Sequence, residues 1–499
     1  MVLVPSLESY QLAGVLLGAL AVWSASVAIY RIYFDPLSHV PGPKIAAATG
    51  LYIFYYNVIR DGLFYLELDG LHKKYGIDPD NYDKIYYIGS KYTKDATFYV
   101  RFGAQDNSWA TSTNENHRRL RAPMEPFFSR RTVLELEDIA QEKAAKICRV
   151  VENGISKGES VDLHAGFRAI SMDILTEYAF DDCWDQLDRP DLGQWFSDLG
   201  EGIGSVMHIS QQFPFFLQFS LMMPQWLMGY LSSDMKKTVG VMERTALTVE
   251  GVKAKMAKGE KPKRRTIFHD LLDPEINQSG HSTLSSEALV EEAFALCAAA
   301  SDTTGNAMSV AVYHVLNDAG IHKALSAELV AAFPDATGML EYTTLEKLPY
   351  LGAVIKEGQR LSYGVCARLP RVVPAGGATF NGLFIPPGYT ASMSAYNLHR
   401  NPAAFPDPAK FDPTRWLPTA DPQALAFQNK CFVPFSRGSR GCIGQNLAMC
   451  ELYVTLGTFF RRFGPGKLKT RDVGELTFKD RFSPYHRREE ERLKVWGTA

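Results

Sequence analysis

FSRGSRGCIG, residues Phe435 to Gly444, places one cysteine in a loop rich in glycine and arginine. Structural cysteines prefer apolar helices and strands, so Cys442 is in an unusual setting. Glycines at three positions in the loop permit positive φ angles and let the backbone approach a flat ligand closely. The pattern therefore indicates a cysteine that binds something rather than one that fills a core.

The chemistry of this cysteine depends on its ionisation, because the thiolate is the strong ligand and the thiol is not. We expect Arg440 to pair with an anionic group of the bound molecule and Phe435 to pack on one side of the sulfur. A zinc site would need more Cys or His at close spacing than this segment has. A protease-type cysteine would need a His and Asn partner, an alternative that the segment does not test. A lone thiolate among glycine and arginine suits haem iron.

The composition describes a large globular protein. The chain has 499 residues, 46% of them hydrophobic, and a formal net charge of -2. This charge balance argues against a nucleic-acid binder that works by bulk electrostatics, so no nucleic-acid partner is predicted. The seven cysteines are odd in number and scattered, which favours reduced thiols over a disulfide framework. Helical patterns dominate up to about residue 361 and short strand-like pieces follow Pro370, which predicts one mainly α domain with small β-sheets.

The amino-terminal segment predicts a membrane anchor. Residues Ser9–Tyr30 carry no charge, and at about 1.5 Å per residue they span roughly 30 Å of hydrocarbon. A cleaved signal peptide would carry a basic residue before its apolar run, and a buried core helix would lack the aromatic and basic cluster at its end. We expect residues 1–35 to form a single-pass anchor and residues 36–499 to form a catalytic domain on the cytosolic side.

The cysteine loop fits the pattern F-x-x-G-x-R-x-C-x-G at all five fixed positions, and in this it resembles the cytochrome P450 family. Other segments resemble fungal microsomal haem-thiolate monooxygenases of the trichodiene-oxygenase-like branch. The resemblance implies the cytochrome P450 fold, haem b (iron protoporphyrin IX) as cofactor and Cys442 as the axial iron ligand. It also places Phe435 and Gly444 beside the haem.

Two further motifs support the resemblance. Glu357 and Arg360 form an E-x-x-R pair, which alone would be an ordinary surface ion pair worth little. The resemblance implies that Arg415 joins them in a buried structural network below the cysteine loop. The segment AASDTTG contains Asp302 and Thr303, and without the resemblance it would indicate only a kink in a long helix. In the family these two residues deliver protons, with Thr303 near dioxygen and Asp302 linked to water.

Haem propionates require cations, and the resemblance supplies four candidates. His117 and Arg121 correspond to the family's W-x-x-x-R motif, with histidine keeping a ring N–H donor. Arg371 follows the E-x-x-R helix, and Arg440 precedes the cysteine. Any one of them alone would be a surface charge, but together they predict one anion-binding site.

The implied activity is insertion of one oxygen atom from O2 into an apolar small molecule, expected to be a terpenoid or polyketide of secondary metabolism. Electrons would come from NADPH through a separate NADPH-cytochrome P450 reductase that docks near Arg118 and Arg119. The expected location is the endoplasmic reticulum membrane. Alternatives are an oxygen-independent haem-thiolate isomerase or dehydratase, which the presence of Asp302 and Thr303 disfavours, and a non-catalytic haem-binding protein.

Two segments depart from simple expectations. Relatives normally carry a two-stranded hairpin after the segment that ends at Gly76, whereas here Gly76 continues directly into Ile77. A lost exon edge in the gene model is favoured over a truncated sheet, which would expose a strand edge.

Residues 211–231 are strongly apolar but contain two prolines, and we expect them to dip into the membrane.

Overall fold

The computed structural model describes residues 7–99, 107–213, 233–273, 284–335, 338–418 and 421–498, with isolated positions between 214 and 232. Helices dominate it, as predicted. In chain order they are α1 Leu7–Tyr33, α2 Lys44–Ala48, α3 Leu51–Phe54, α4 Phe64–Tyr75, α5 Asp80–Ile85, α6 Ala96–Tyr99, α7 Asn114–Arg121, α8 Arg130–Leu134, α9 Glu137–Ser156, α10 Leu163–Phe180, α11 Gln194–Gln212, α12 Ser233–Ala257, α13 Ile267–Leu272, α14 Ser286–Asn317, α15 Ala319–Ala332, α16 Tyr342–Leu345, α17 Pro349–Ser362, α18 Ala395–His399, α19 Pro422–Cys431 and α20 Gln445–Arg462.

The strands are short and form four small antiparallel sheets. Their bounds are β1 Thr93–Lys94, β2 Val161–Asp162, β3 Arg371–Val372, β4 Ala378–Phe380, β5 Leu383–Ile385, β6 Thr390–Ala391, β7 Leu468–Thr470, β8 Phe478–Arg481, β9 Ser483–His486 and β10 Lys494–Gly497. The sheets have the strand orders β1-β3-β6, β2-β10-β7, β4-β5 and β8-β9. The register of the first sheet pairs Lys94 with Arg371.

The core is built around α14, a 32-residue helix that packs most extensively against α10. Ser285 caps its start by accepting a hydrogen bond from the Ala288 N–H, in line with the preference for serine at helix starts. At Gly305 the two helices lie close together. A Cβ atom there would lie 2.9 Å from both the backbone N and Cα of Arg168. The absence of a side chain at Gly305 therefore brings α10 directly onto the middle of α14.

Helix α1 lies outside this core. Its residues Gly14–Tyr33 have a mean hydropathy of 1.8 and none of them is buried. The segment is long and apolar enough to cross a membrane, and the described part of the chain has no second such helix. The predicted single anchor segment is present as a helix.

The connection at Gly76 is short. Gly76, with a φ of +85°, caps the carboxyl end of α4, and α5 begins at Asp80. In the described residues β6 pairs only with β3, so its other edge carries no strand. The loss of the hairpin through an error in the gene model remains a prediction. Most of the predicted membrane-dipping segment 211–231 lies outside the described residues.

We predict that Gly305→Ala lowers the free energy of unfolding by about 1–3 kcal/mol, because the added methyl group must push α10 away from α14. Chemical denaturation of the detergent-solubilised protein, followed by circular dichroism, measures the effect. Gly251→Ala on α12 is the control, because nothing lies within 4 Å of its added methyl group. An equal response of the two variants would contradict the close helix contact.

Candidate active site

The cysteine loop is a tight backbone structure that ends at a helix. Gly438–Arg440 form one 3-10 turn, and the Cys442 N–H donates to the Phe435 carbonyl oxygen at 2.9 Å. Gly438 has a φ of +73°, and a Cβ there would lie 2.5 Å from the Tyr87 carbonyl oxygen. Of the seven cysteines, only Cys442 is exposed. The loop thus presents one accessible sulfur on a rigid support.

The environment of this sulfur acts in two directions on its ionisation. Although solvent reaches the Cys442 sulfur, the dense protein around it raises the pKa of the thiol by desolvation, whereas the Gly444 backbone amide and the Arg121 guanidinium lower it. Gly444 is also the N-cap of α20, an 18-residue helix whose positive end favours an anion. The elements that would hold a thiolate are therefore assembled before any metal binds.

A cluster of cations lies beside the loop. The Arg121 Nη1 donates to the Gly441 carbonyl oxygen at 2.6 Å. Arg440 donates to the carbonyl oxygens of Thr111, Ser112 and Thr113 at 2.7–3.1 Å. These bonds fix the two guanidinium groups to backbone oxygens, and Arg121 also forms an ion pair with Glu125 at 3.0 Å.

Arg371 and Lys94 extend this cluster into the β1-β3-β6 sheet, where they face each other across an antiparallel pair. Arg371 donates to the Tyr99 hydroxyl at 2.9 Å, and the Lys94 ammonium donates to the Trp109 carbonyl oxygen. Both side chains are buried. No carboxylate among the described residues forms an ion pair with Lys94, Arg371 or Arg440. Facing like charges without an anion are unfavourable, which indicates that a ligand supplies the missing negative charge.

Mutual repulsion and burial move the ionisation of these groups. The pKa of Arg440 falls to about 9 through burial and the nearby Arg371 and Arg121. Burial and the same arginines hold the pKa of Lys94 well below its usual range. His117, buried on α7, has its pKa lowered to about 3 by burial and then by Arg440 and Arg121, so its ring is neutral. An anionic ligand here would restore the charged forms.

The E-x-x-R pair has the opposite character, because every charge has a partner. Arg360 and Glu357 form a bidentate ion pair at 2.7 and 2.9 Å, and both side chains are fully buried. Arg415 lies 3.4 Å from Glu357, and the Trp416 indole N–H donates to the same carboxylate at 2.9 Å. The structure brings the three residues together as predicted from the resemblance.

His399 connects this network to the cysteine loop. Its Nδ1 lies 3.0 Å from the Arg360 carbonyl oxygen, and its Nε2 lies 2.9 Å from the Val433 N–H. Burial lowers the pKa of His399 to about 3, so the ring is neutral. The Val433 N–H can only donate to Nε2, which assigns the ring proton to Nδ1. The network therefore supports the backbone two residues before Phe435.

Asp302 and Thr303 are neighbours on α14, but their side chains have separate partners. The Arg168 Nε lies 3.1 Å from the Asp302 carboxylate, and the Tyr485 hydroxyl donates to its other oxygen. Thr303 donates its hydroxyl to the Ala299 carbonyl oxygen at 2.9 Å. Burial raises the pKa of Asp302, and Arg168 and Tyr485 oppose that rise. A link from Asp302 through water to Thr303 remains a proposal.

A protein-family model of cytochrome P450 matches residues 82–478. The chain belongs to the cytochrome P450 family. Among curated relatives, Cytochrome P450 monooxygenase MO6277 of Ascocoryne sarcoides is 34% identical over 89% of this chain and 90% of its own length. N-acetyltryptophan 6-hydroxylase of Emericella nidulans is 31% identical over 89% and 88%. Tryptophan 6-hydroxylase of Fusarium equiseti is 30% identical over 90% of each chain.

Membership in this family defines the class of reaction that the protein catalyses. This cytochrome P450 is an oxygen-incorporating oxidoreductase that uses a haem, O2, a redox partner and a small-molecule substrate. The residues present fit a haem: one accessible cysteine lies at a helix start, and beside it lie the buried Lys94 and Arg371, which have no acidic partner in the described part of the chain. Cys442 would bind the iron, and His117, Arg121, Arg371 and Arg440 would bind the propionates.

Sequence reasoning missed three residues of this site. Lys94 lies in a two-residue strand, and Arg168 and Tyr485 lie more than 130 residues from Asp302 in opposite directions along the chain. No local motif marks them. The one available signal was a charged residue in a mostly apolar helical pattern, as for Arg168 in α10.

We predict opposite effects of Lys94→Met on the protein without and with haem. Removing one of two facing cations stabilises the haem-free protein by about 1 kcal/mol. The same change removes a propionate partner, so haem transfer to apomyoglobin becomes about tenfold faster.

Lys143→Met is the matched control. Lys143 is also buried but lies 2.8 Å from the Glu177 carboxylate. Its loss leaves that carboxylate without a partner, so it should destabilise the haem-free protein without changing haem transfer. If Lys94→Met destabilises the haem-free protein instead, the cation cluster is not waiting for an anion.

Proposed function

We propose that this cytochrome P450 inserts one oxygen atom of O2 into an apolar small molecule of secondary metabolism, with haem b as its cofactor. A terpenoid or polyketide is the favoured substrate class, and the tryptophan hydroxylases among the relatives make an indole the first aromatic alternative to test. The observation that carries this proposal is the accessible Cys442 beside the buried Lys94 and Arg371, which form no ion pair with any carboxylate among the described residues.

We also propose a membrane location and a redox partner for the protein. We infer that residues 1–35 anchor the protein in the endoplasmic reticulum membrane and that residues 36–499 form the catalytic domain on the cytosolic side. The exposed apolar helix α1 supports this arrangement. Electrons come from NADPH through NADPH-cytochrome P450 reductase, and the exposed Arg118 and Arg119 on α7 provide a basic face for docking.

Different residues of the chain have different roles around the cofactor, which would supply dioxygen activation when bound. Cys442 holds the iron from one side, with Phe435 and Gly444 shaping the space around its sulfur. The cation cluster orients the propionates. Thr303 holds a proton near the reacting oxygen, and Asp302 resupplies it from water. Glu357, Arg360 and Arg415 keep the cysteine loop in place.

We predict that Cys442→Ala abolishes the long-wavelength Soret band of the reduced carbon monoxide complex and lowers haem content, because no other thiolate reaches the iron. Absorption spectra and the pyridine haemochrome assay measure both quantities. Cys450→Ala, a buried cysteine eight residues along, is the control and should keep the band. A retained band in Cys442→Ala would exclude this cysteine as the ligand.

We predict that Thr303→Ala keeps NADPH consumption but lowers product per NADPH by about tenfold or more and raises hydrogen peroxide, because the proton donor is lost. Ser309→Ala is the control, since Ser309 makes the same kind of bond on α14, to the Gly305 carbonyl oxygen at 2.8 Å. An oxygen-independent isomerase or dehydratase would instead turn over without NADPH-dependent oxygen uptake. Unchanged coupling in Thr303→Ala would remove Thr303 from proton delivery.

A further inference from the structure

Asp302 is held from two sides by residues that belong to no motif of the chain. We propose that Arg168 and Tyr485 are positioning residues for proton delivery by Asp302, and that helix α11 sets their geometry through its close contact at Gly200. This inference rests on the proposed function, because it takes Asp302 to be the acid that supplies Thr303.

Arg168 contacts Asp302 as part of a rigid, buried arrangement. Its Nε lies 3.1 Å from the carboxylate, and its Nη1 donates to the His164 carbonyl oxygen at 3.0 Å. Ser301, next to Asp302, donates its hydroxyl to the Arg168 carbonyl oxygen at 3.2 Å. The remaining nitrogen, Nη2, is buried without a hydrogen-bond partner in the described part of the chain. It is a donor that can hold a water molecule beside the carboxylate.

Tyr485 closes the other side. Its hydroxyl donates to the second oxygen of Asp302 from the β8-β9 hairpin. In this orientation the carboxylate makes no hydrogen bond to Thr303, whose hydroxyl donates to the Ala299 carbonyl oxygen. To serve the threonine directly, the carboxylate has to turn away from at least one of its two partners.

Gly200 makes this contact depend on helix α11. A Cβ atom at Gly200 would lie 2.0 Å from the Tyr485 hydroxyl oxygen and 2.9 Å from an Asp302 carboxylate oxygen. One turn later, a Cβ atom at Gly204 would lie 2.4 Å from the Arg481 Cβ. Two glycines thus let α11 lie directly on the hairpin, where it confines the Tyr485 hydroxyl. A shift of α11 changes the space around the Tyr485–Asp302 bond.

The charged and titratable groups around Asp302 come from every neighbouring element. They are Arg168 and His164 on α10, Tyr485 and His486 on β9, and Glu201 on α11. Burial and Arg168 lower the pKa values of both histidines, so neither adds a positive charge near neutral pH. Burial raises the pKa of Asp302, and the Arg168 guanidinium and the Tyr485 hydroxyl act against that rise by favouring the ionised carboxylate.

The proton balance follows from this arrangement. In the clamped state the contacts with Arg168 and Tyr485 favour the ionised form of Asp302. When the Tyr485 bond yields, the carboxylate takes up one solvent proton from a hydronium ion, which leaves as water. The resulting acid passes one proton to the Thr303 hydroxyl as that hydroxyl donates its own to the reacting oxygen, and Asp302 returns to its clamped state. Each opening delivers one proton, so the two protons consumed when one oxygen atom is inserted and the other leaves as water require two openings.

The test combines Tyr485→Phe, Gly200→Ala and the double variant in the full-length holoenzyme. Tyr485→Phe removes a bond to the ionised acid, so we expect product per NADPH to change about threefold or more and its pH dependence to move to higher pH. Gly200→Ala should produce the same shift, because its methyl group displaces the hydroxyl. In the double variant the 2.0 Å clash with the hydroxyl is gone, whereas the contacts at 2.9 Å to the Asp302 carboxylate and 3.0 Å to the ring carbon Cζ remain. Its loss of coupling and of thermal stability in the haem-free protein should therefore be smaller than the sum of the losses in the two single variants.

Matched controls separate this role from general packing. Tyr178→Phe removes a buried hydroxyl that donates to the Phe127 carbonyl oxygen, and Gly251→Ala adds a methyl group in open space. Both should leave coupling and pH profile unchanged. Arg168→Lys should retain more coupling than Arg168→Met, because it keeps the charge beside Asp302.

Two outcomes overturn different statements. If Tyr485→Phe leaves coupling and pH profile at wild-type values while Thr303→Ala uncouples, the positioning role is wrong and the proposed function stands. If Thr303→Ala has no effect, the proposed proton delivery itself fails. Additive stability losses in the double variant would mean that Gly200 and Tyr485 act independently, which also overturns the coupling through α11.

Discussion

Unneutralised positive charge beside an accessible sulfur is the constraint on which the rest of this structure depends. Lys94 and Arg371 face each other across two strands, Arg440 approaches from the cysteine loop, and Arg121 on α7 adds a further cation that is paired with Glu125. Burying such a group without an anion is costly, and the cost rises when the charges repel one another. The folded chain contains these cations as a preformed anion site, and their burial lowers its stability. An anionic cofactor that binds there should therefore raise the free energy of unfolding.

The E-x-x-R network shows why charge balance separates a supporting site from a binding site. Glu357 receives donors from Arg360, Asp412 and Trp416, and Arg360 also donates to three backbone carbonyl oxygens. In that network each arginine has a carboxylate within 3.4 Å, and His399 connects the network to the backbone at Val433. The cation cluster is incomplete without a ligand. Both are buried and rich in arginine, so composition alone does not distinguish them; the presence or absence of a carboxylate does.

The sequence predicted the parts of the site that depend on local backbone geometry. The cysteine loop, the E-x-x-R helix and the long helix with Asp302 each have fixed spacing within a few residues, which a single chain displays directly. Lys94, Arg168 and Tyr485 were missed because the sheet register and the crossing of α10 over α14 bring them into place, and neither leaves a local pattern. The mainly α class, the exposed first helix and the Ser285 cap followed from periodicity and capping chemistry.

Glycine explains how residues so distant in the chain reach one carboxylate. Gly305 lets the backbone of Arg168 lie against α14 one turn beyond Asp302, and Gly200 lets α11 lie against the Tyr485 hydroxyl. A side chain at either position would move a helix axis by more than the tolerance of a hydrogen bond. The positions of the groups around Asp302 therefore depend on glycines in two helices, Gly200 and Gly305, whereas the polar residues make the hydrogen bonds. Because both contacts converge on Asp302, a displacement of either helix must alter its hydrogen bonds, which makes the acid sensitive to the packing of the domain around it.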